Sequence, residues 1–332
     1  MSPLLKRLLR RALKWVGLVF FLVAAYAIYT QLSKYSWMDI QTAIENVPAS
    51  NVLYAVLAMM IGYVVLSTYD RLALEYINRK VEWYKWMLAG FLGFAVSNNA
   101  GTAIVSGAAI RYRLYTRWRF QMPEIFTMIS FSGVTYLIGC LFLFVIGFSI
   151  VPAEVRQSPL VTILFWPCLV ALVLYFIAAA VFKRGGFMFG KTVIRVPGVW
   201  LALRQGMLGT TDTFLASMVL YSVLYPLFPV PFDVFVGVFA ISMVIGVFTP
   251  VPGAVGVFEG LFLYLLPGAA GNEAQIFGAL IIFRIVYYLI PLVTAGIVLF
   301  ILPQYLRLRS AVPLATKCEV REKLEKYSGR TQ

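Results

Sequence analysis

Histidine is absent from all 332 residues. Its absence removes the imidazole on which the common zinc centres and His-based catalytic triads depend, and leaves carboxylate chemistry open. Cysteine is scarce, with three in the chain. Cys140 and Cys168 fall in apolar runs and Cys318 in a charged tail, so neither a disulfide framework nor a CxxC redox site is available. Charge is sparse too, at 13% of residues, well under the level of soluble domains. No glycine-rich nucleotide-binding loop occurs. No metal set and no cofactor site are therefore expected, and no catalytic residue stands out, because neither a nucleophile nor a metal constellation accompanies the carboxylates.

What the chain has in abundance is apolar sequence: 61% of it is hydrophobic, a composition of polytopic membrane proteins. The net charge of +14 raises the question of nucleic acid, but the basic residues lie mostly in loops between apolar runs, so nucleic acid is not an expected partner. Runs of roughly 20 apolar residues mark spans near 15–32, 51–70, 124–150, 160–182, 207–229 and 274–302. The first follows Lys6, Arg7, Arg10, Arg11 and Lys14, as a secretory signal would. The sequence Tyr26-Ala27-Ile28-Tyr29-Thr30-Gln31 offers no good small-residue cleavage site, so an uncleaved span is expected. Two further apolar regions, 86–110 and 233–267, are each broken in the middle. Ser97-Asn98-Asn99-Ala100-Gly101 breaks the first, and Thr249-Pro250-Val251-Pro252-Gly253 the second. Each half is too short for a full crossing.

Charge placement decides how these broken regions run. If the N-terminus is cytoplasmic and both regions turn back, 25 of the 28 basic residues fall inside, as the positive-inside rule requires. Lys34 and Arg156 fall outside, and Arg284 lies within a span. The first region then enters from the cytoplasm and the second from the opposite side. The expected fold is an all-α polytopic membrane protein, with six full transmembrane helices plus two oppositely oriented re-entrant helical hairpins in an inverted repeat. Gly101 and Gly253, at the two breaks, lie 152 residues apart, and the spans that follow start at about the same offset. Residues 1–306 are expected to form a single transmembrane domain, with inverted halves about 15–150 and 160–302. Residues 307–332 are expected to be a short charged cytoplasmic tail. The stretch 183–205 reads as an interfacial loop or short helix on anionic lipid.

The second break carries the densest chemistry. Pro252 and Gly253 end one half-helix, and the next begins near mid-membrane with unpaired N–H groups that favour an anionic headgroup. Gly253, Gly256 and Gly260 make a small-residue face, and Glu259 borders it. Read as structure alone, this is a break with a hydrogen-bonded carboxylate; read as function, an intramembrane ionisable group marks a site. Arg284 is the natural partner of Glu259, either as a structural ion pair or as a phosphate-binding guanidinium; Tyr287 and Tyr288 continue its face. At the first break Asn98, Asn99 and Gly101 supply polar groups, and Arg111 and Arg113 follow at the cytoplasmic end. Asp70 reads as a boundary residue, with pairing to one of these arginines as the alternative. Asp212 reads as a first-turn residue of its span.

Three segments together carry a family resemblance: Gly107-Ala108-Ala109-Ile110-Arg111-Tyr112-Arg113-Leu114-Tyr115, the run from Thr249 to Glu259, and Arg284-Ile285-Val286-Tyr287-Tyr288-Leu289-Ile290-Pro291. With them the chain resembles the YbhN-type bacterial inner-membrane proteins, related to the transmembrane flippase-like region of lysylphosphatidylglycerol synthases. The resemblance covers nearly the whole chain. It implies a lipid flippase-like or lipid-binding transporter of the bacterial inner membrane that handles phospholipid, anionic or aminoacylated, with both termini cytoplasmic. The alternatives are a non-transporting lipid-binding scaffold or regulator and, held lower, a membrane enzyme acting on lipid headgroups. No aminoacyltransferase activity is expected, since only about 30 residues follow the last span. The expected partners are membrane phospholipid and, beyond it, a second copy of the chain or a separate lipid-modifying enzyme.

Overall fold

A computed structural model describes residues 37–99, 103–182, 186–189, 192–195, 197–249 and 254–310. The span expected near 15–32, Gly101, Pro252, Gly253 and the tail from 311 onward lie outside the described residues. The helices in order are α1 (Trp37–Glu45), α2 (Ala49–Tyr76), α3 (Trp83–Ser97), α4 (Ala103–Arg117), α5 (Met122–Ile150) and the single turn α6 (Ala153–Arg156). They continue as α7 (Pro159–Val181), α8 (Val199–Leu224), α9 (Phe232–Phe248), α10 (Val257–Leu265), α11 (Glu273–Arg284) and α12 (Ile290–Ser310). Between α11 and α12 the chain does not break; Ile285–Leu289 is wound as a π-helix.

Five helices among the described residues are long and apolar enough to cross a bilayer: α2, α5, α7, α8 and the continuous Glu273–Ile301 segment. The protein is a multi-pass membrane protein. Each of these helices is apolar around its circumference, as a helix with lipid on one side and protein on the other must be. On α7, Ile163, Trp166, Val170, Leu174, Ile177 and Val181 are exposed, a face that only hydrocarbon would solvate. Among the described residues the fold departs from all-helical at one place. Gly186–Phe189 and Thr192–Arg195 form a short antiparallel β-hairpin, where an interfacial loop or helix is expected from sequence. Its strands carry Phe187, Val193 and Ile194, residue types that favour extended structure.

The two interrupted regions each fold back on themselves. In the first, Gly107 lies against Gly93 and Ser97, and Gly93 lies against Arg111. As one chain position rises the other falls, so α3 and α4 are antiparallel. In the second, Phe239 meets Phe258 and Phe235 meets Phe262, which sets α9 and α10 antiparallel as well. Helices α3 and α4 have 15 residues each, about 22 Å at 1.5 Å per residue. That is short of the roughly 30 Å of a hydrocarbon core.

Helices α2 and α8 pack along each other at the centre, and α5 lies on both. The backbones of α5 and α8 come unusually close, because a methyl group on Gly139 would stand 2.1 Å from the carbonyl carbon of Gly209. Each hairpin leans on the last long helix of the opposite half, α9 on α5 and α3 on α12.

Candidate functional site

The site begins at the turn that opens α10. Ala254 and Gly256 both adopt positive φ, +49° and +80°, a region that glycine enters freely and alanine does not. The turn aims the Gly256 N–H at Oε2 of Glu259, at 2.6 Å. Half of a capping box is thus built, with the acid at the third helical position. The first donor of the α10 N-terminus, which the sequence assigns to an anionic headgroup, is therefore held by the helix's own carboxylate. Oε1 faces the other way and accepts from Arg284 Nε at 2.8 Å and Nη2 at 2.6 Å. Glu259 is buried at 8% exposure, and the Arg284 guanidinium also lies 4.7 Å from the ring centre of Tyr288. Acid, guanidinium and aromatic face satisfy one another where water is scarce.

Arg284 is the last residue before the π-helix, which disturbs the regular i→i+4 ladder and releases carbonyls. Two side chains from the other half take them. Tyr63 of α2 donates to the Tyr287 carbonyl at 3.1 Å, and Asn99, at the end of α3, donates to the Tyr288 carbonyl at 3.1 Å. Asn98 donates to the Tyr63 hydroxyl at 3.5 Å. Hence Asn98, Asn99, Glu259, Arg284, Tyr287 and Tyr288, read from sequence as the two ends of one site, sit in a single connected cluster. Gly256 supplies the N–H beneath it. A methyl group at Gly260 would meet open space, so that part of the small-residue face is not a packing contact.

A second acid–arginine pair holds the first hairpin. Arg111 of α4 donates through Nε to both oxygens of Asp70 at 3.0 and 3.1 Å, and its Nη2 stands 3.0 Å from Oδ1, off the hydrogen-bond direction. Tyr115, one turn after Arg111, donates to Oδ2 at 3.0 Å. The guanidinium covers the Phe94 ring at 4.3 Å and presses on the Cα of Gly93, where a Cβ would come within 2.7 Å of it. Asp70 and Arg111 are 1% and 4% exposed, so the boundary reading of Asp70 is corrected: it is a buried counter-ion. Arg113, two residues beyond Arg111, is exposed and does not join the cluster.

Asp212 is also corrected. The span that carries it starts at Val199, eight residues earlier than the apolar count places it. The missing turns hold Arg204 and Gln205, which depress hydropathy yet are both engaged. Arg204 pairs with Glu75, and Gln205 donates to Thr135 while accepting from Tyr175. Asp212 is thus mid-helix and 1% exposed, accepting from the Tyr69 hydroxyl at 2.9 Å. Tyr63, Tyr69 and Tyr115 escape sequence reasoning because tyrosines in a span read as ordinary apolar bulk. The one visible signal is helical spacing at Tyr115, which follows Arg111 by four on α4.

Comparison with known proteins places the chain in a family. The family model described as the lysylphosphatidylglycerol synthase TM region matches residues 14–295. An uncharacterized protein of Synechocystis, slr0712, is 31% identical over 289 residues, 85% of this chain and 88% of that protein. The inner membrane protein YbhN of Escherichia coli is 27% identical over 296 residues, 87% of this chain and 91% of that protein. A phosphatidylglycerol lysyltransferase of Staphylococcus xylosus is 26% identical over 292 residues, but these are only 32% of its length against 84% of this chain. A match over nearly all the described spans, both hairpins included, means that this chain belongs to the family of the lysylphosphatidylglycerol synthase transmembrane region.

Proposed function

We propose that the protein is a lipid flippase-like or lipid-binding transporter that handles phospholipid headgroups, in a bacterial inner membrane like that of its relative YbhN. The observation that carries this reading is the pair of acid-held arginines, Arg111 buried and Arg284 half-buried. Each is held by one carboxylate and one aromatic face at a helical hairpin too short to cross. A guanidinium has five donors and matches a phosphate in two-point geometry, so a headgroup phosphate competes well for it. The carboxylate partner keeps the charge compensated when no lipid is bound.

In this reading the chain is one transmembrane domain of six full helices, with the α3–α4 and α9–α10 hairpins re-entering from opposite sides and both termini cytoplasmic. The two halves, about 15–150 and 160–302, form an inverted repeat, followed by a charged cytoplasmic tail. Asn98, Asn99, Gly101, Arg111 and Arg113 belong to the inner approach. Pro252, Gly253, Gly256, Glu259, Arg284, Tyr287 and Tyr288 belong to the outer one. The alternation of α9 on α5 with α3 on α12 supports the repeat. Headgroups would pass along the polar cluster while acyl chains stay in hydrocarbon. The lysyltransferase named among the relatives extends over a length about three times that of the shared region.

Mass spectrometry of gently purified protein tests the clamp. Wild type should retain anionic phospholipid, and Arg284→Ala should lose most of it. Equal retention by both would remove Arg284 from headgroup binding, and wild type with no lipid but a stable co-purifying protein would favour the scaffold reading.

A further inference from the structure

The carboxyl of Asp212 lies mid-way along α8 and, among the described residues, has no cation paired with it. It is residue 14 of the 26 in α8, about 20 Å from either helix end at 1.5 Å per residue. Oδ2 accepts from Tyr69, and Oδ1 is buried with no hydrogen-bond partner among the described residues. The titratable groups that face it are Tyr63 and Tyr69 from α2, Tyr136 and Cys140 from α5, and Tyr287 and Tyr288 from the π-helix. The remaining packed elements keep their charges elsewhere. On α7, Tyr175 donates to Gln205; Asp233 and Glu273 sit in the first turns of α9 and α11; and Arg284 is bonded to Glu259.

The surroundings also lead toward both arginines. Arg111 covers Phe94, Phe94 meets Tyr69 edge-on at 5.4 Å, and Tyr69 donates to Asp212. On the far side Tyr288 faces Asp212 and carries Arg284 on its ring. Asp212 is therefore joined by contacts to the Arg111 side and lies within electrostatic reach of Tyr288 on the Arg284 side, at the α2–α8 contact.

From this placement we infer that Asp212 is an exchangeable proton site that couples a transmembrane proton gradient to lipid movement, with Oδ1 as the proton-carrying oxygen. The inference rests on the transport reading above. A carboxylate this deep requires a compensating positive charge, and neither lysine nor arginine reaches it among the described residues. The tyrosine hydroxyls are too few and too weak as oxygen donors for a sodium ion, and the thiol offers only soft sulfur, where a hard cation takes a fuller shell of carbonyl and carboxylate oxygens. A proton needs only the free oxygen. Gaining or losing it changes the charge at the contact between the central helices of the two halves, and a group that binds a proton better in one arrangement biases the equilibrium between arrangements.

Two measurements on the full chain in proteoliposomes test it. With the membrane potential clamped by valinomycin and potassium, an imposed pH difference should shift the leaflet distribution of a labelled anionic phospholipid by up to tenfold per pH unit, for about one proton per lipid. Asp212→Asn should abolish that shift. In infrared difference spectra between high and low pH, a buried carboxylic-acid C=O band should be present in wild type, absent in Asp212→Asn, and displaced in its titration midpoint by Tyr69→Phe. A pH-driven shift that survives in Asp212→Asn, or a sodium gradient that drives wild type where a pH gradient does not, overturns the inference. If wild type moves no lipid at all, the transport reading falls and coupling with it, while the infrared band still reports whether Asp212 exchanges a proton.

Discussion

Glu259 divides its two oxygens between backbone and side chain: Oε2 holds the Gly256 N–H and Oε1 holds Arg284. Substituting glutamine keeps the shape and most donor–acceptor geometry but removes the charge. Arg284, 21% exposed at its side chain, then lacks its counter-ion. Stripping one partner from a buried pair typically costs about 3–5 kcal/mol, and the residual exposure puts this case at the lower end or below it. Glu259→Gln should therefore lower the thermal midpoint in detergent, and added anionic phospholipid should restore part of the loss by supplying a phosphate to the orphaned guanidinium. Recovery that is the same with zwitterionic lipid would argue for a purely structural pair. At the inner pair, Tyr115 makes Asp70 the acceptor for two groups. Here a double-mutant cycle of Asp70→Asn with Arg111→Gln, read by thermal unfolding, should show a coupling of about 1–3 kcal/mol. Additive losses would mean that the two residues act separately.

Among the elements, the interrupted helices were legible and the charged helix starts were not. Pro250, Pro252 and Gly253, together with the Asn98–Gly101 run, mark the breaks because they cannot continue a helix in hydrocarbon. Their spacing gives both hairpins before any coordinate is known. The pairing of Glu259 with Arg284 could be anticipated by depth, since both are intramembrane charges of opposite sign. Asp212 and Asp70 were misread for one reason. A hydropathy window ends a span where polar residues begin, and it cannot know that Arg204 has Glu75 and Gln205 has Thr135 as partners. The β-hairpin at 186–195 was not legible because its residues carry no strong alternation.

The close backbone approach between Gly139 and Gly209 belongs to this scale as well. Gly139→Ala places a methyl group on backbone rather than on a side chain that could swing away. It should cost about 1–3 kcal/mol, read as a lower thermal midpoint. Gly260→Ala, which meets open space in a short helix, should be neutral or slightly stabilising. The reverse ranking would mean that α5 and α8 do not cross as described.

For the whole molecule, the proposed orientation rests on the positive-inside rule, under which 25 of the 28 basic residues fall on the cytoplasmic side. With Cys318→Ser as background, a cysteine at Arg117 should react with an impermeant thiol reagent only from the cytoplasmic side, and one at Asn272 only from the opposite side. Labelling of both from one side would break the inverted repeat. The central claim is that each hairpin builds an acid–arginine pair beside a headgroup path, Arg111 of α4 on Asp70 and Glu259 of α10 on Arg284 of α11. Its most direct test is the transbilayer rate of a labelled anionic phospholipid in liposomes at equal protein content. Wild type should accelerate the movement well above protein-free liposomes, while Glu259→Gln and Arg284→Ala should return it close to the protein-free rate. Rates that are the same in wild type and both variants would contradict the account.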